Sequence, residues 1–463
     1  MSAGFAWWAL AAGGQAQGFL IRTSAQWVDG KTPGQLIRYA LVRLDGHPNL
    51  SAVVKPPLQW MQARFERDVP LQSLPPLGKG QQPQTLPPLG NQVGNVLAVG
   101  SSTDIAHALA TAQAGQTVLI QPGRYRFADK LKVGYAGSSN QPIIVRAAVP
   151  GQVFLEFDTV EGIAVTQPYW VFENLQIRGV CSDHSQCEHA FHVVGKAHHT
   201  ILRNNHIADF NAHVKVNGLN GEWPDDGLLA FNTLTNTVAR QTNLPVTPLD
   251  MVGANHWVLA DNLVSNFVKL EGDKISYGMF MKGGGRGGRI ERNLVVCTTE
   301  GISQPGARVG ISLGGGGTGK GLCRDTQCEL EYANGLVVNN IVAHCNDSGL
   351  DVNKSANNLL AFNTLINTAG VDVRNVAANA NIYGNLLEGR IHARNGAQAK
   401  EVMNEISSLR TVFERADTLV FSCSGQIENI PSISTVPADF YGVKRRDGTM
   451  PGALSQCPNP VPQ

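Results

Sequence analysis

The chain has 463 residues, a formal net charge of +1 and only 16% charged residues. It carries no basic tract, so nothing in the sequence argues for a nucleic-acid partner. The apolar run at residues 5–12 is too short to cross a bilayer, and no membrane span is predicted.

The first 94 residues are predicted to be separate from the rest of the chain. Residues 1–69 form an N-terminal extension that begins with a signal-like apolar stretch at residues 5–12 and contains one short helix at residues 57–67. Residues 70–94 include the phrase LPPLG twice, which predicts an extended, semi-rigid, proline-rich linker.

Residues 95–398 are predicted to form a solenoid, because one strand phrase recurs through this segment. The phrase is short, alternates apolar and other residues, and carries an asparagine at intervals of about 20–50 residues. The aligned asparagines are Asn174, Asn205, Asn232, Asn262, Asn293, Asn340, Asn363 and Asn385. No helical pattern separates the phrases, which excludes βαβ and leucine-rich repeats. The predicted fold class is therefore all-β, a right-handed parallel β-helix whose stacked asparagines bond from rung to rung.

Helices are predicted at both ends of the solenoid. Ser102 and Asp104 precede an amphipathic run that ends at Gly115, which indicates an N-capped helix covering the first rung. Residues 399–463 are predicted to be a C-terminal cap and tail, with a helical pattern at residues 400–416.

A second, shorter strand phrase precedes most asparagine phrases and predicts two outward columns of side chains. Its second and fourth letters are apolar and point inward, so its third and fifth letters point outward. The first column contains Ala164, His192, Lys215, Asp250, Phe280, Ser312, Asp351, Asp372 and His392. The second column includes Thr166, Asn217, Lys282, Gly314, Asn353, Arg374 and Arg394. Ionisable groups gathered from consecutive rungs predict a surface that binds a charged or hydroxyl-rich polymer.

Lys282 is distinctive within these columns because glycine-rich segments, residues 283–288 and 314–317, flank it. The glycines are either tight corners or an open floor for a sugar, and the second interpretation is favoured here. A nucleotide loop is excluded, since no GxGxxG opens a helix and no GKS or GKT follows.

The combination of lysine, arginine and histidine suits β-elimination on a uronate polymer. One cation neutralises the carboxylate and a deprotonated group removes the C5 proton. A lysine serves as that base when desolvation or nearby cations lower its pKa. The predicted catalytic residues are Lys282, Arg286 and Arg308. The predicted substrate-binding residues are Lys215, Asp250, Arg289, Asp351, Asn353 and Arg374.

Carboxylates offer a competing chemistry. Asp250, Asp351 and Asp372 share one column, and paired acids perform glycoside hydrolysis. However, Asp351 and Asp372 lie on adjacent rungs, too close to flank a sugar. In the loop before the Lys282 strand, Glu271 and Asp273 are candidate calcium ligands, although isolated acidic loop residues are more often solvated.

The cysteines are even in number and fall into plausible pairs. Cys181 and Cys187 share a loop, and so do Cys323 and Cys328. Cys297 and Cys345 follow ladder asparagines on successive rungs, about 4.8 Å apart. The remaining pair, Cys423 and Cys457, then ties down the C-terminal tail. Four disulfides predict a secreted or periplasmic protein.

The first rungs, residues 106–157, resemble the chondroitinase B and alginate lyase group of parallel β-helix polysaccharide lyases. This resemblance implies a lysine base, an arginine from the next rung, and a calcium ion held by acidic residues. Lys282 in the phrase GMFMK matches the lysine. The arginine position is occupied by Gly314 and Gly315, and the acids upstream of the lysine are replaced by Ser276 and Gly278.

The predicted function is a polysaccharide lyase that cleaves an acidic polysaccharide on the outer face of the β-helix. A glycoside hydrolase or a uronan C5-epimerase on the same fold is the enzymatic alternative. A carbohydrate-binding module, in which the columns only bind, is the non-enzymatic one.

Overall fold

The computed structural model describes residues 33–44, 48–65, 95–300, 304–315, 317–423, 425 and 427–457. The signal-like start and the proline-rich linker lie outside these residues. Two helices precede the solenoid, α1 (Pro33–Leu44) and α2 (Pro48–Phe65), and they pack together through Ile37, Leu44 and Leu58. The short helix predicted at residues 57–67 is thus the second half of a longer helix, as far as residue 65.

Three long sheets of parallel strands, here named A, B and C, form the main domain. Sheet A contains β1 (Val96–Val99), β2 (Thr117–Ile120), β5 (Ile143–Ala147), β8 (Trp170–Glu173), β11 (Ile201–Arg203), β14 (Leu228–Ala230), β17 (Val258–Ala260), β21 (Arg289–Glu291), β25 (Leu336–Val338), β29 (Asn358–Ala361), β32 (Asn379–Tyr383) and β35 (Gln398–Val402). Sheet B contains β3 (Gly123–Phe127), β6 (Val153–Phe157), β9 (Gln176–Gly179), β12 (His206–Ala208), β15 (Thr233–Thr235), β18 (Leu263–Ser265), β22 (Leu294–Val296), β26 (Ile341–Ala343), β30 (Thr364–Ile366), β33 (Leu386–Leu387) and β36 (Glu405–Ile406). Sheet C contains β4 (Leu131–Lys132), β7 (Glu161–Val165), β10 (His189–Val194), β13 (Ala212–Asn217), β16 (Leu249–Val252), β19 (Ile275–Lys282), β23 (Ala307–Leu313), β27 (Leu350–Asn353), β31 (Gly370–Arg374) and β34 (Arg390–Arg394).

Two minor sheets complete the strands. A small parallel sheet at one corner contains β20 (Gly285–Arg286), β24 (Tyr332–Ala333) and β28 (Ser355–Ala356). An antiparallel pair in the C-terminal tail contains β37 (Phe413–Arg415) and β38 (Val420–Cys423).

Ten successive rungs, from β2–β4 to β32–β34, each contribute one strand to each long sheet, so the predicted right-handed parallel β-helix is confirmed. The inward side chains from all three sheets form one continuous apolar core along the solenoid. Helix α3 (Ser102–Thr111) covers the first rung with Ile105, Ala108 and Leu109. Its cap is Ser101, whose Oγ accepts a hydrogen bond from the Asp104 N–H at 3.1 Å, one residue before the predicted cap.

The asparagine ladder runs from Asn205 to Asn404. Each side-chain amide donates to the side-chain oxygen of the next asparagine at 2.9–3.1 Å. The same oxygens accept backbone N–H groups at 2.9–3.0 Å. Asn174 is not part of this column: Leu175 occupies the ladder position, and Asn174 instead accepts from Asn204 at 2.6 Å.

The helix predicted at residues 400–416 is wrong. Lys400 lies in β35 and pairs with Asn381, and Glu405 lies in β36 and pairs with Leu386, so the solenoid continues for one more rung. The tail then turns back over sheet B, whose outward positions are apolar and require cover. Residues Leu294 and Ile341 of sheet B share a buried cluster with Phe413 and other tail residues.

All four predicted disulfides are present: Cys181–Cys187, Cys297–Cys345, Cys323–Cys328 and Cys423–Cys457. The second joins consecutive rungs next to the ladder. Among the described helices, none has the length and apolar character needed to cross a membrane.

Candidate active site

The two predicted columns lie in register on the outer face of sheet C. Backbone pairing places His192 beside Lys215, Lys215 beside Asp250, and so on along the first column to His392. In the second column, Lys282 is level with Val252, and Asn353 is level with Arg374. Side chains from nine consecutive strands, β7 to β34, therefore share one surface.

The N-terminal part of this surface is a set of paired charges. His192 lies between Glu161 (Nδ1 to Oε1, 2.9 Å) and Asn217 (Nε2 to Oδ1, 2.8 Å). Lys215 donates to Oδ2 of Asp250. The other carboxylate oxygen of Asp250 is buried and has no hydrogen-bond partner among the described residues.

Two groups beside these pairs were not predicted as site residues. Burial lowers the pKa of His189 to about 4, so its ring, 5.1 Å from that of His192, is neutral at pH 7. Burial also raises the pKa of Glu188. Burial would raise the pKa of Glu161 as well, but hydrogen bonds from Lys130 and His192 lower it.

The C-terminal part is a buried ionic network. The Arg374 guanidinium donates two hydrogen bonds to the Asp351 carboxylate, at 2.9 and 3.1 Å. The Ser312 hydroxyl donates to the same carboxylate at 2.9 Å. Burial raises the pKa of the Asp351 carboxyl, and the charge of Arg374 opposes this change. On the next rung, the Arg394 guanidinium donates hydrogen bonds to the Asp372 carboxylate at 2.7–3.1 Å. These contacts hold both arginines rigidly over the sheet.

Between these two parts lies an aromatic floor that carries Lys282. The Lys282 Nζ is 4.5 Å from the centre of the Phe280 ring. The ring of Tyr277 stacks on Phe280, with 4.4 Å between centroids and 20° between planes. Lys282 is half-buried and makes no hydrogen bond or ion pair within the described residues.

The glycine-rich segments are mostly corners, contrary to the favoured interpretation of an open floor. Gly283, Gly284 and Gly314 have φ of +73°, +77° and +76°, which L side chains rarely adopt. Gly288 is required by close packing, since an added Cβ would lie 2.3 Å from the Tyr332 hydroxyl. Among the described glycines of these segments, Gly315 has a direct link to the site, because an added Cβ would lie 2.6 Å from the Phe280 ring and 3.7 Å from Cδ of Lys282.

The stretched ladder interval of 47 residues contains a loop that buttresses the corner after Lys282. Glu331 accepts hydrogen bonds from Thr318 at 2.7 Å and from the Gly283 N–H at 3.2 Å. The Arg324 guanidinium donates two hydrogen bonds to the Asp225 carboxylate, at 2.6 and 2.8 Å, and lies over the Trp223 ring. The loop thus fixes the end of β19, and with it the position of Lys282.

Two of the predicted arginines do not join Lys282. Arg308 is fully buried and pairs with Ser276, six residues before Lys282, which places it about 20 Å away along the strand. Arg289 lies on sheet A and forms an ion pair with Glu291, so it belongs to the surface charge patch that also includes Arg292. Arg286 is exposed in the corner just after Lys282, and its side chain has no partner within the described residues.

The carboxylates of the site do not fit a calcium ion. Calcium takes six to eight oxygen ligands from carboxylates, carbonyls and waters. Asp273 is exposed and accepts a hydrogen bond from Lys269 at 2.7 Å. Asp250, Asp351 and Asp372 are each paired with a cation. Within the described residues, the one group with metal-ligand spacing is Cys323, Asp325 and Cys328, and its two sulfurs form a disulfide.

The chain resembles known polysaccharide lyases in its first rungs and in its fold. The family model of chondroitinase B matches residues 99–217, which confirms the resemblance predicted from residues 106–157. The match includes His192 and Lys215 and ends before Lys282. No curated protein matches the chain by sequence.

Several solved structures are similar to this one. Pectate lyase Pel9A is 13% identical, with 80% of this chain and 91% of that chain covered and a TM-score of 0.49. An alginate lyase from Paenibacillus sp. str. FPU-7 is 12% identical, with 67% and 99% covered and a TM-score of 0.36. A PL6 family polysaccharide lyase from Pseudopedobacter saltans is 15% identical, with 74% and 98% covered and a TM-score of 0.36.

Proposed function

We propose that this protein is a polysaccharide lyase that cleaves a uronic acid-containing glycan by β-elimination on the outer face of sheet C. Lys282 is the base that removes the C5 proton. Arg286, exposed one corner later, neutralises the uronate carboxylate, which makes that proton more acidic.

One observation carries this proposal. The two columns contain several cationic side chains between His192 and Arg394. Among the described residues, Lys282 is the one of these that has no carboxylate partner. His192, Lys215, Arg374, Arg394 and His392 each have an acidic partner. A carboxylate partner holds a cation in its charged form, whereas a general base must give up its proton. At the centre of the surface, Lys282 lies beside the Phe280 ring and not beside a carboxylate.

The paired residues on either side of Lys282 suit substrate binding. Asp250 and Lys215 lie one and two rungs before it, where a carboxylate and an ammonium meet sugar hydroxyls. Asn353 and Arg374 lie on the rungs after it, where amide and guanidinium donors meet sugar oxygens. Successive rungs are about 4.8 Å apart, a spacing similar to that of sugars along a polymer.

The proposal includes no metal ion, because Asp250, Asp273, Asp351 and Asp372 are each paired with a lysine or arginine side chain. Glycoside hydrolysis is disfavoured by the same contacts, since it requires one free carboxylate and one protonated carboxyl flanking the scissile bond. The four disulfides support a secreted or periplasmic location.

The test is incubation with a panel of acidic polymers: alginate, polygalacturonate, rhamnogalacturonan and dermatan sulfate. Ultraviolet absorbance of the unsaturated ends reports elimination, and reducing ends without that absorbance report hydrolysis. An exchange of the C5 hydrogen without cleavage would identify an epimerase. Binding without any of these would leave a carbohydrate-binding module.

Lys282→Ala should abolish the ultraviolet signal, with a loss of about 10²–10⁴-fold in kcat. Lys269→Ala is the matched control, because Lys269 is paired with Asp273 away from the two columns. Full activity of Lys282→Ala would remove Lys282 from the mechanism.

A further inference from the structure

Tyr277 has an unusual position for a residue that strict strand alternation would turn inward. Gly278 interrupts the alternation: a Cβ there would meet Phe267 and Val295 of the core at 2.9 Å, so this position faces inward. Tyr277 is therefore released to the outer face, where its ring stacks on Phe280. Lys282 Nζ lies over that same ring, so the ammonium and the tyrosine both contact Phe280.

The hydroxyl of Tyr277 is placed to give a proton away. The guanidinium of Arg374 lies within hydrogen-bonding reach of it, and a guanidinium only donates, so the tyrosine oxygen accepts. No described residue accepts the hydroxyl hydrogen. The Tyr277 side chain is half-buried on the outer face of the sheet.

On the basis of the proposed function, we propose that Tyr277 is the general acid of the elimination. As Lys282 takes the C5 proton, the C5–H electron pair becomes the C4–C5 double bond and the C4–O bond breaks. The departing glycosidic oxygen takes the hydroxyl proton of Tyr277. Charge balances, since Lys282 becomes an ammonium and Tyr277 a phenolate, and a proton returns to Tyr277 through solvent.

The surroundings of Tyr277 support this role. Asp351 and Ser312 fix the guanidinium of Arg374, whose hydrogen bond strengthens when the phenolate forms. Burial and the neighbouring Asp351 charge raise the pKa of Tyr277, although Arg374 opposes them. The hydroxyl consequently keeps its proton at neutral pH, which a general acid requires. In this arrangement Arg374 is a positioning residue.

The test compares two substrates with Tyr277→Phe, which keeps the ring and its stacking. The first is the polymer cleaved by the wild-type protein, whose sugar leaving group needs a proton. The second is a uronoside with fluoride at C4, whose leaving group departs without general-acid help. We expect kcat on the polymer to fall about 10²–10⁴-fold with little change in KM. Fluoride release should stay close to the wild-type rate, and the alkaline fall of the polymer pH profile should disappear.

Other outcomes overturn the assignment. Equal losses on both substrates would make Tyr277 a structural residue, and retained polymer activity would show that it transfers no proton. Tyr441→Phe, an exposed tyrosine of the tail, is the control and should change neither rate. Lys282→Ala should be inactive on both substrates. If it remained active, the proposed base would fail independently of the assignment of Tyr277.

Discussion

Replacing one asparagine in the middle of the ladder should loosen the solenoid locally and strongly. Asn293→Ala removes the oxygen that accepts the Asn262 N–H at 3.0 Å and the amide that donates to the Leu259 carbonyl at 2.9 Å. Asn293 itself is fully buried, so water does not replace these partners. A buried polar group left without a partner costs about 1–3 kcal/mol, and two such groups cost about 2–6 kcal/mol.

The last asparagine of the ladder provides a matched comparison. Asn404 also accepts from the backbone and side chain of its neighbour Asn385, at 3.0 and 2.9 Å, but it is only partly buried. Water reaches the groups released by Asn404→Ala, and the expected loss is about 1 kcal/mol. Asn293→Asp keeps an acceptor but loses the donor and buries a charge, so it should destabilise at least as much as alanine.

Native-state hydrogen exchange is the suitable assay, because a solenoid opens in parts and a single unfolding free energy is poorly defined. For the middle of the expected range, about 4 kcal/mol, protection of the Asn262 amide should fall about a thousandfold. Amides near the first rungs should change little. Less than a tenfold change at Asn262, or equal effects of the Asn293 and Asn404 variants, would refute the account of the ladder.

Two further predictions concern pH and metal ions. Burial lowers the pKa of His189, His213 and His344 to about 4 from an ordinary value of 6.5, so the unfolded chain binds more protons than the folded one between these values. Stability should therefore be complete above about pH 6.5 and decline as the pH falls towards 4, by up to about 1.4 kcal/mol per pH unit for each histidine; denaturation midpoints that stay constant over this range would contradict the assignment. For metal ions, treatment with EDTA should leave the rate of elimination unchanged, and a large recovery on adding calcium would show that the charge pairs on sheet C open to bind the ion.

Much of the architecture was accessible from sequence because the repeat supplies its own alignment. The alternation within short strands predicted both columns of sheet C, and the register of His192, Lys215 and Asp250 agrees with it. The positions of Cys297 and Cys345 relative to the ladder predicted a bond between rungs, which is present. In these cases each residue's place depends on its own strand and the adjacent rung.

The errors occurred where a position depends on something outside this pattern. Asn174 was aligned one place too early, because its phrase exchanges the ladder asparagine for Leu175. Residues 400–416 have a helical pattern of charges, but pairing with the preceding rung imposes strands on its first part. Tyr277 is absent from the predicted site because Gly278 shifts the alternation of inward and outward side chains in β19. A glycine has no side chain whose polarity would reveal this shift in the sequence.

The in-register stacking also determines how the length of the outer face can be altered. Neighbouring rungs align through backbone pairing and, from Asn205 to Asn404, through one asparagine each. Copying or deleting a whole rung distant from Lys282 would lengthen or shorten the outer face by about 4.8 Å without turning the remaining side chains. The number of sugars that the surface accommodates can therefore be altered without moving the residues around Lys282.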